Sequence, residues 1–160
     1  MATRAGRGIG RATALALSDA GTPSILAARS EAELRQTTEL VKARGAKALD
    51  IVADLTNPIA PAHAVEKAVS GFGPIDILVN NAATVDPLGP SQSLDPTVWA
   101  AALGVDVIAP ASPALALPLN MIKASWWRIV NVSSSIAANP RAMIGGNAYA
   151  TTKGGLEAHN

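Results

Sequence analysis

Short apolar segments alternate with longer helical patterns along this chain, and that alternation restricts its fold more than any other feature. Patterns typical of buried strands occur at residues 24–28, 48–53, 75–79 and 128–132. Continuous apolar strands separated by helices are typical of a parallel sheet that is covered on both faces. The 160 residues suffice for one packed core, so we predict a single three-layer α/β domain over residues 1–160.

Helix signals fill the intervals between these strands. Ser30, followed by Glu33 three residues later, forms a capping box that predicts a helix ending near Gly45. Further helices are predicted over residues 62–72, over a proline-interrupted segment at 97–124, and from about Asn147. The sequence Asp-Pro-Leu-Gly-Pro at residues 86–90 predicts a surface loop within the domain.

Composition excludes several classes of function. Hydrophobic residues make up 49% of the chain and charged residues 16%, which argues against disorder. A net charge of +1 gives no reason to expect nucleic acid or an acidic membrane as a partner. Without cysteine there is no disulfide and no thiolate ligand, and His63 and His159 lack ligand spacing, so no metal site is expected.

The first eighteen residues contain three arginines and no acidic residue. Transit peptides share this composition, but a glycine-rich loop accounts for the same residues better. No apolar run is long enough to span a membrane. The expected location is therefore the cytoplasm.

A glycine cluster stands immediately before the first helical pattern. The residues that lead directly into this pattern are Gly6, Arg7, Gly8, Ile9 and Gly10. Glycines at a helix N-terminus let a phosphate approach the backbone N–H groups. Arg29 directly follows the predicted strand that ends at Ala28, where an acidic residue would bind a ribose 2′-hydroxyl and an arginine accommodates a 2′-phosphate. Arg29, with Arg7 as a second cation, therefore favours NADP(H) over NAD(H); the alternative for Arg29 is a solvated charge.

Tyr149 and Lys153 are four residues apart on a predicted helix and therefore share one face. A neighbouring ammonium favours the phenolate, whose unperturbed pKa is about 10. The serine run 133–135 precedes them and offers a hydroxyl for a substrate oxygen. The alternative is an ordinary solvated helix face.

These features occur in one order that resembles the short-chain dehydrogenase/reductase family. Each motif alone is weak, but five in sequence are specific. The motifs that carry the resemblance are Thr3 through Gly10, Asp54-Leu55, Asn80-Asn81-Ala82-Ala83, Asn131-Val132-Ser133-Ser134 and Tyr149-Ala150-Thr151-Thr152-Lys153.

The resemblance implies a Rossmann-like, doubly wound sheet and a nicotinamide cofactor, here NADP(H). It implies an oxidoreductase that interconverts a carbonyl and a secondary alcohol of a small molecule, and a homo-oligomer for the full-length form. The cofactor residues that it implies are Gly6, Arg7, Gly8, Ile9, Gly10, Arg29, Asp54, Leu55, Asn81, Ala82, Ala83, Tyr149 and Lys153.

Four catalytic residues follow from the same resemblance. Ser134 positions the substrate oxygen, although Ser135 suits the usual spacing better. Tyr149 exchanges the proton, and Lys153 lowers the pKa of the tyrosine while holding the nicotinamide ribose. Asp106 stands where the family usually has an asparagine that helps to hold a proton-relay water.

Three departures from the family pattern are present. Arg4 replaces a glycine of the first motif, and Asp106 replaces the asparagine. The chain also looks truncated at both ends, so we expect the central first strand and the C-terminal part to be missing, with unpaired edges on two strands. These departures favour a second interpretation, an inactive fragment that binds nucleotide weakly or associates with a partner. A third is an unrelated α/β binding domain.

Overall fold

Five parallel strands form one sheet at the centre of the molecule. The computed structural model describes residues 1–116 and 126–159. Within them the strand order is β3-β2-β1-β4-β5, and every pairing is parallel. This order confirms the predicted doubly wound α/β fold, in which the connections run outwards from the middle of the sheet in both directions. The strands are β1 Ala2–Thr3, β2 Ser24–Ala28, β3 Ala48–Val52, β4 Ile77–Asn80 and β5 Arg128–Asn131.

Helices follow the strands in sequence. The α-helices are α1 Gly8–Asp19, α2 Glu31–Lys42, α3 Ala60–Phe72, α4 Pro96–Leu103, α5 Ala109–Ala116, α6 Ser135–Ala138 and α7 Asn147–Glu157. Short 3₁₀ turns lie at Ser91–Ser93 and Pro140–Ala142, and a π-helical turn at Gly104–Ile108 joins α4 to α5. The part of the predicted helical segment at 117–124 lies outside the described residues.

Two hydrophobic cores lie on opposite faces of the sheet because successive side chains of a strand point in opposite directions. In β2, Ile25 packs with the core on the α3 side, whereas Leu26 packs with the core on the α1 and α2 side. In β4, Leu78 and Val79 divide in the same way. The sheet is therefore covered on both faces, as the continuous apolar strands predict.

The central strand is present, contrary to the expectation that it is missing. Ala2 pairs with Leu26 on one side and with Val79 on the other. The Met1 carbonyl accepts a hydrogen bond of 2.8 Å from the Val79 amide, and the Met1 ammonium donates one of 2.6 Å to the Ile77 carbonyl. Three residues thus suffice to bridge β2 and β4, because each strand residue can bond to neighbours on both sides. The strand is short rather than absent.

Local signals explain most element boundaries. The Ser30 side chain accepts a hydrogen bond from the Glu33 amide and begins α2, which confirms the predicted cap. The long helical segment that begins at Pro96 widens into the π turn just before Pro110. Pro110 has no N–H to offer the carbonyl four residues earlier, so the regular hydrogen-bond ladder cannot pass it unchanged. Within the described ranges no helix combines the length and the apolarity that crossing a membrane requires.

Candidate functional site

A groove of about 420 Å³ opens at the carboxyl ends of the central strands. The residue after β1, Arg4, and the residue after β2, Arg29, both line it. The chain following β3 and β4 supplies four more of the predicted cofactor residues, Asp54, Leu55, Ala82 and Ala83. The predicted residues Asn81, Tyr149 and Lys153 are not part of the lining. Connections from β1 and β4 leave the sheet in opposite directions, and ligands of open α/β sheets bind at such a switch point.

The glycine cluster forms the turn into α1 rather than the groove lining. Gly8 has a φ of 55° and begins the helix, a conformation that glycine adopts without strain. A Cβ on Gly10 would come within 2.7 Å of the Asn81 Nδ2 atom and closer still to the Arg4 carbonyl oxygen. Arg7 extends from this turn to a 3.7 Å ion pair with Glu33. Residues 6–10, which the sequence predicts to bind the cofactor, are not part of the cavity lining that the structure describes.

Arg4 takes a backbone conformation that is rare for a residue with a side chain. Its φ is 50°, in the left-handed region, at the place where the family pattern has glycine. Its Nη1 atom donates a hydrogen bond of 3.2 Å to the Ala83 carbonyl. The side chain therefore reaches from the β1 side of the groove to the β4 side.

Thr3 fixes the groove wall that follows β4. Its hydroxyl oxygen accepts hydrogen bonds of 2.9 Å from the amides of Asn81 and Ala82. The Asn81 Nδ2 atom in turn donates a bond of 3.2 Å to the Thr3 carbonyl. Thr3 is only 4% exposed, so these amides have no water to replace its hydroxyl. Asn81 thus helps to build the groove from beneath.

Asp54 is held as an exposed carboxylate at the groove. The Thr56 amide and hydroxyl donate bonds of 3.0 and 2.9 Å to its Oδ1 atom. The backbone bond from Thr56 is the main reason that the pKa of Asp54 lies below its ordinary value, and the Arg29 charge adds to the effect. An ionised acceptor is therefore available to hydrogen-bond donors of a ligand.

Lys153 is a buried ammonium at the carboxyl end of β5. It is 2% exposed and its Nζ atom donates a hydrogen bond of 2.9 Å to the Val132 carbonyl. The same atom lies 5.8 Å from the centroid of the Tyr149 ring, on the same face of α7. Burial lowers the pKa of Lys153, and the nearby carboxylate of Asp106 partly offsets that change. The predicted pair is thus brought together.

Asp106 connects the groove to the helix that carries this pair. It has no exposed surface, and its two oxygens accept separate hydrogen bonds: Oδ1 from the Thr84 amide at 2.8 Å, and Oδ2 from the Thr152 hydroxyl at 2.9 Å. Burial raises its pKa, while these bonds and the charges of Lys153 and Arg4 act in the opposite direction. Asp106 therefore binds protein donors at both oxygens.

The serine run lies between β5 and α7. The Ser134 hydroxyl oxygen accepts a hydrogen bond of 3.4 Å from the Ile136 amide and caps α6, which packs against α7. The Ser133 hydroxyl donates a bond of 2.6 Å to Glu157. Ser135 is the exposed first residue of α6. The assignment of Ser134, rather than Ser135, to the substrate oxygen stays a prediction.

Comparison with known proteins identifies the family. The family model described as short chain dehydrogenase matches residues 1–159. The chain belongs to the short-chain dehydrogenase family. An uncharacterised oxidoreductase of Mycobacterium tuberculosis is 35% identical over 155 residues, which cover 96% of this chain and 58% of that relative. This short-chain dehydrogenase chain thus spans little more than half the length of that relative.

Solved structures agree with this assignment. A metagenomic short-chain oxidoreductase in complex with NADP has a TM-score of 0.92 and 34% identity, over 98% of this chain and 70% of that one. An NAD⁺-bound xylitol dehydrogenase has a TM-score of 0.89 and 32% identity, over 98% and 59% of the two chains. The relatives of this short-chain dehydrogenase thus include proteins crystallised with either dinucleotide.

Several residues of the site escape the sequence interpretation. Thr84 and Thr152 bond to Asp106, yet both are ordinary threonines beside known motifs. Their positions, directly after Ala83 and directly before Lys153, are the only available signal. Arg4 is visible in the sequence as a departure from the glycine motif, but its contact with Ala83 requires the three-dimensional structure.

Proposed function

We propose that this short-chain dehydrogenase interconverts a small-molecule carbonyl and a secondary alcohol with NADP(H). One observation carries the proposal: the Lys153 ammonium lies beside Tyr149 on α7, and the preceding residue, Thr152, joins this helix to the groove through Asp106 and Thr84. A proton-donating phenol with a buried cation beside it, connected to a groove at the switch point of an α/β sheet, suits dinucleotide-dependent carbonyl chemistry.

The groove residues fit a dinucleotide. The close approach of Gly10 to neighbouring backbone permits a tight turn into α1, where N–H groups favour a phosphate. Asp54 is placed to accept hydrogen bonds from the adenosine half. Arg29 lies directly after β2 and lines the groove, where a guanidinium accommodates a 2′-phosphate, so we assign the preference for NADP(H) to this residue.

Tyr149 is the proposed acid and base of the reaction. When bound, the reduced nicotinamide supplies a hydride to the carbonyl carbon of the substrate. The Tyr149 hydroxyl gives its proton to the developing alkoxide, and the Lys153 cation lies 5.8 Å from the centroid of the same ring. Ser134 donates a hydrogen bond to the same oxygen, a contribution of the oxyanion type.

A titration and an activity assay test this proposal. NADPH and NADH are titrated against the purified chain by nucleotide fluorescence, and reduction of a panel of ketones and aldehydes is then followed by loss of NADPH. We expect tighter binding of NADPH, turnover by the wild type, and a loss of about a thousandfold in Tyr149→Phe. Tyr149→Phe should still bind NADPH, because the phenyl ring remains. A folded wild type that binds neither dinucleotide would falsify the proposal.

The conformation of Arg4 favours a second candidate, an inactive chain with at most weak nucleotide binding or a role in associating with a partner. Its side chain lines the groove and reaches across it to Ala83. NADPH binding with no reduction of any substrate in the panel would support this candidate. Cytoplasmic location and self-association stay predictions; light scattering coupled to size-exclusion chromatography tests the latter.

A further inference from the structure

Arg4 is the feature of the groove that neither the family pattern nor the proposed reaction explains. It is exposed, and its bond to the Ala83 carbonyl is the only hydrogen bond that its guanidinium makes within the described residues. A left-handed backbone is unfavourable for a residue with a side chain, because the Cβ atom comes too close to the following carbonyl oxygen. Strain of this kind is retained most often where a ligand is bound.

The charges that line the groove balance because Arg4 is a cation. The charged residues that line it are Arg4, Arg29, Asp54 and Asp86. With Arg4 the two signs balance, whereas without it the two acids would outnumber the single remaining arginine. Such a groove would repel the phosphates of a dinucleotide, because like charges in a partly enclosed cleft interact more strongly than in bulk water.

Arg4 lies between the two ends of the groove. Arg29 follows β2, on one side of the central strand, and the carbonyl that Arg4 contacts follows β4, on the other side. The Arg4 carbonyl packs against Gly10, next to the N-terminus of α1. Burial raises the pKa of Asp106, and the Arg4 charge is the smallest of the effects that oppose this rise, so its field reaches the buried carboxylate. The part of a dinucleotide that lies between its adenosine and its nicotinamide is the pyrophosphate.

We propose that Arg4 is a cofactor-binding residue whose guanidinium leaves the Ala83 carbonyl and binds the pyrophosphate of the cofactor. This role rests on the proposed function. Guanidinium and phosphate form paired hydrogen bonds between two charged groups, which are stronger than the single bond from the same guanidinium to the uncharged Ala83 carbonyl. The pyrophosphate is common to NADP⁺ and NAD⁺, so Arg4 supplies affinity for both, and Arg29 supplies the choice between them.

Calorimetric titration of two variants with four ligands tests this division. NADP⁺ and NAD⁺ report on the whole cofactor, 5′-ADP carries a pyrophosphate without a 2′-phosphate, and 2′-AMP carries the reverse. Arg4→Gly should weaken the binding of NADP⁺, NAD⁺ and 5′-ADP about tenfold, as expected for the loss of a charge-assisted bond. The affinity for 2′-AMP should stay unchanged. Arg29→Ala should weaken the binding of NADP⁺ and 2′-AMP and leave the affinities for NAD⁺ and 5′-ADP unchanged.

Two controls accompany these variants. Arg35→Ala removes an exposed arginine on α2, paired with Glu31 and outside the groove lining, and should leave all four affinities unchanged. Arg4→Lys keeps the charge without the planar fork and should recover part of the lost affinity. The melting temperature of Arg4→Gly should not fall below that of the wild type, because glycine relieves the strained backbone.

The outcomes separate this proposal from the proposed function. Unchanged or tighter binding of NADP⁺ by Arg4→Gly would show that Arg4 merely obstructs the groove, and would leave the proposed function intact. If Arg4→Gly lost affinity only for 2′-AMP and NADP⁺, Arg4 would be assigned to the 2′-phosphate, and this result would also overturn the proposal. A wild type that binds no dinucleotide would overturn both.

Discussion

The two ends of the groove hold their charges in opposite ways. At the nucleotide end, Arg4, Arg29 and Asp54 are exposed to water, and the pKa of Asp54 lies below its ordinary value because donors surround it. At the proposed catalytic end, Asp106 and Lys153 are buried and do not line the groove; burial raises the pKa of Asp106 and lowers that of Lys153. Exposed charges suit the binding of an ionic ligand, whereas buried groups with shifted pKa values suit the transfer of a proton.

This contrast implies that binding and chemistry can be disrupted separately. Substitutions at the nucleotide end should change dissociation constants and should be sensitive to salt, since exposed charges are screened. Substitutions at the catalytic end should change turnover and the stability of the fold, because their partners have no water to replace them.

The largest expected effect is that of Lys153→Met. Methionine fills a similar volume but has no charge, so Tyr149 loses its neighbouring cation. We expect turnover to fall about a thousandfold, within the usual range for general acid–base catalysis, with a much smaller change in NADPH binding. Steady-state kinetics and nucleotide titration measure the two quantities. Lys42→Met, an exposed position on α2 paired with Glu39, is the matched control and should retain full turnover; equal losses in both variants would contradict the role of Lys153.

The next effect concerns the wall between the two ends. Thr3→Val keeps the shape of the side chain but leaves the buried amide of Asn81 and the partly buried amide of Ala82 without an acceptor. We expect the free energy of unfolding to fall by about 3 kcal/mol, since each unsatisfied buried donor costs roughly 1–3 kcal/mol. Urea denaturation measures the change. Thr3→Ser keeps the hydroxyl and should cost only about 1 kcal/mol for the lost methyl group. Similar losses in both variants would show that packing, rather than hydrogen bonding, holds this wall.

A third test uses pH to compare two carboxylates. Because the pKa of Asp106 is raised in the folded state, the native protein binds that proton more tightly than the unfolded chain does. The resulting contribution of Asp106 to the free energy of unfolding is present below the pKa that its carboxyl has in the unfolded chain. It is lost as the pH rises through the pKa of Asp106 in the folded protein. The stability of Asp106→Asn relative to wild type should therefore increase with pH through the acidic range. Lys153 and Arg4 are the cations that face this carboxylate.

Asp95 is the matched control for this experiment. It caps α4 by accepting hydrogen bonds from the Thr97 hydroxyl and amide, which lower its pKa. The contribution of Asp95 to the free energy of unfolding is present above the pKa that its carboxyl has in the unfolded chain. It is lost as the pH falls through the pKa of Asp95 in the folded protein. The stability of Asp95→Asn relative to wild type should therefore change with pH in the opposite direction. Unfolding curves measured across the acidic range would contradict the contrast if both variants shifted in the same sense.

The smallest effect expected is a gain. Arg4→Gly removes left-handed strain of about 1–2 kcal/mol but adds flexibility to the unfolded chain, so we expect the free energy of unfolding to rise by only about 0.5 kcal/mol. Thermal unfolding measures it. Arg35→Gly, in the interior of α2, should instead lose about 1 kcal/mol. A loss of stability in Arg4→Gly would show that the bond to Ala83 outweighs the strain.

Features encoded by neighbouring residues are those that the sequence predicts well. Strand β2 has the predicted bounds, and Ser30 and Glu33 form the predicted cap, because both depend on residues within one or two turns. The pairing of Tyr149 with Lys153 follows from helical spacing in the same way.

Features that depend on distant partners are not predictable in this way. The central strand was expected to be missing, since two residues carry no strand pattern of their own; β2 and β4 define it by offering hydrogen bonds on both sides. The contacts of Asp106 with Thr84 and Thr152 join positions 22 and 46 residues apart. Neither separation leaves a trace in local periodicity.

The π-helical turn at Gly104–Ile108 has a further consequence for the helix that contains it. Such a turn is equivalent to one extra residue in an α-helix, and each residue advances the helix by 100°. The faces of α4 and α5 are therefore out of phase, and Asp106 lies within the turn where the phase changes. Deleting one residue here would restore a regular helix and rotate everything on one side of it by more than a quarter of a turn. Insertions and deletions in this segment should consequently be far less tolerated than substitutions of its apolar residues.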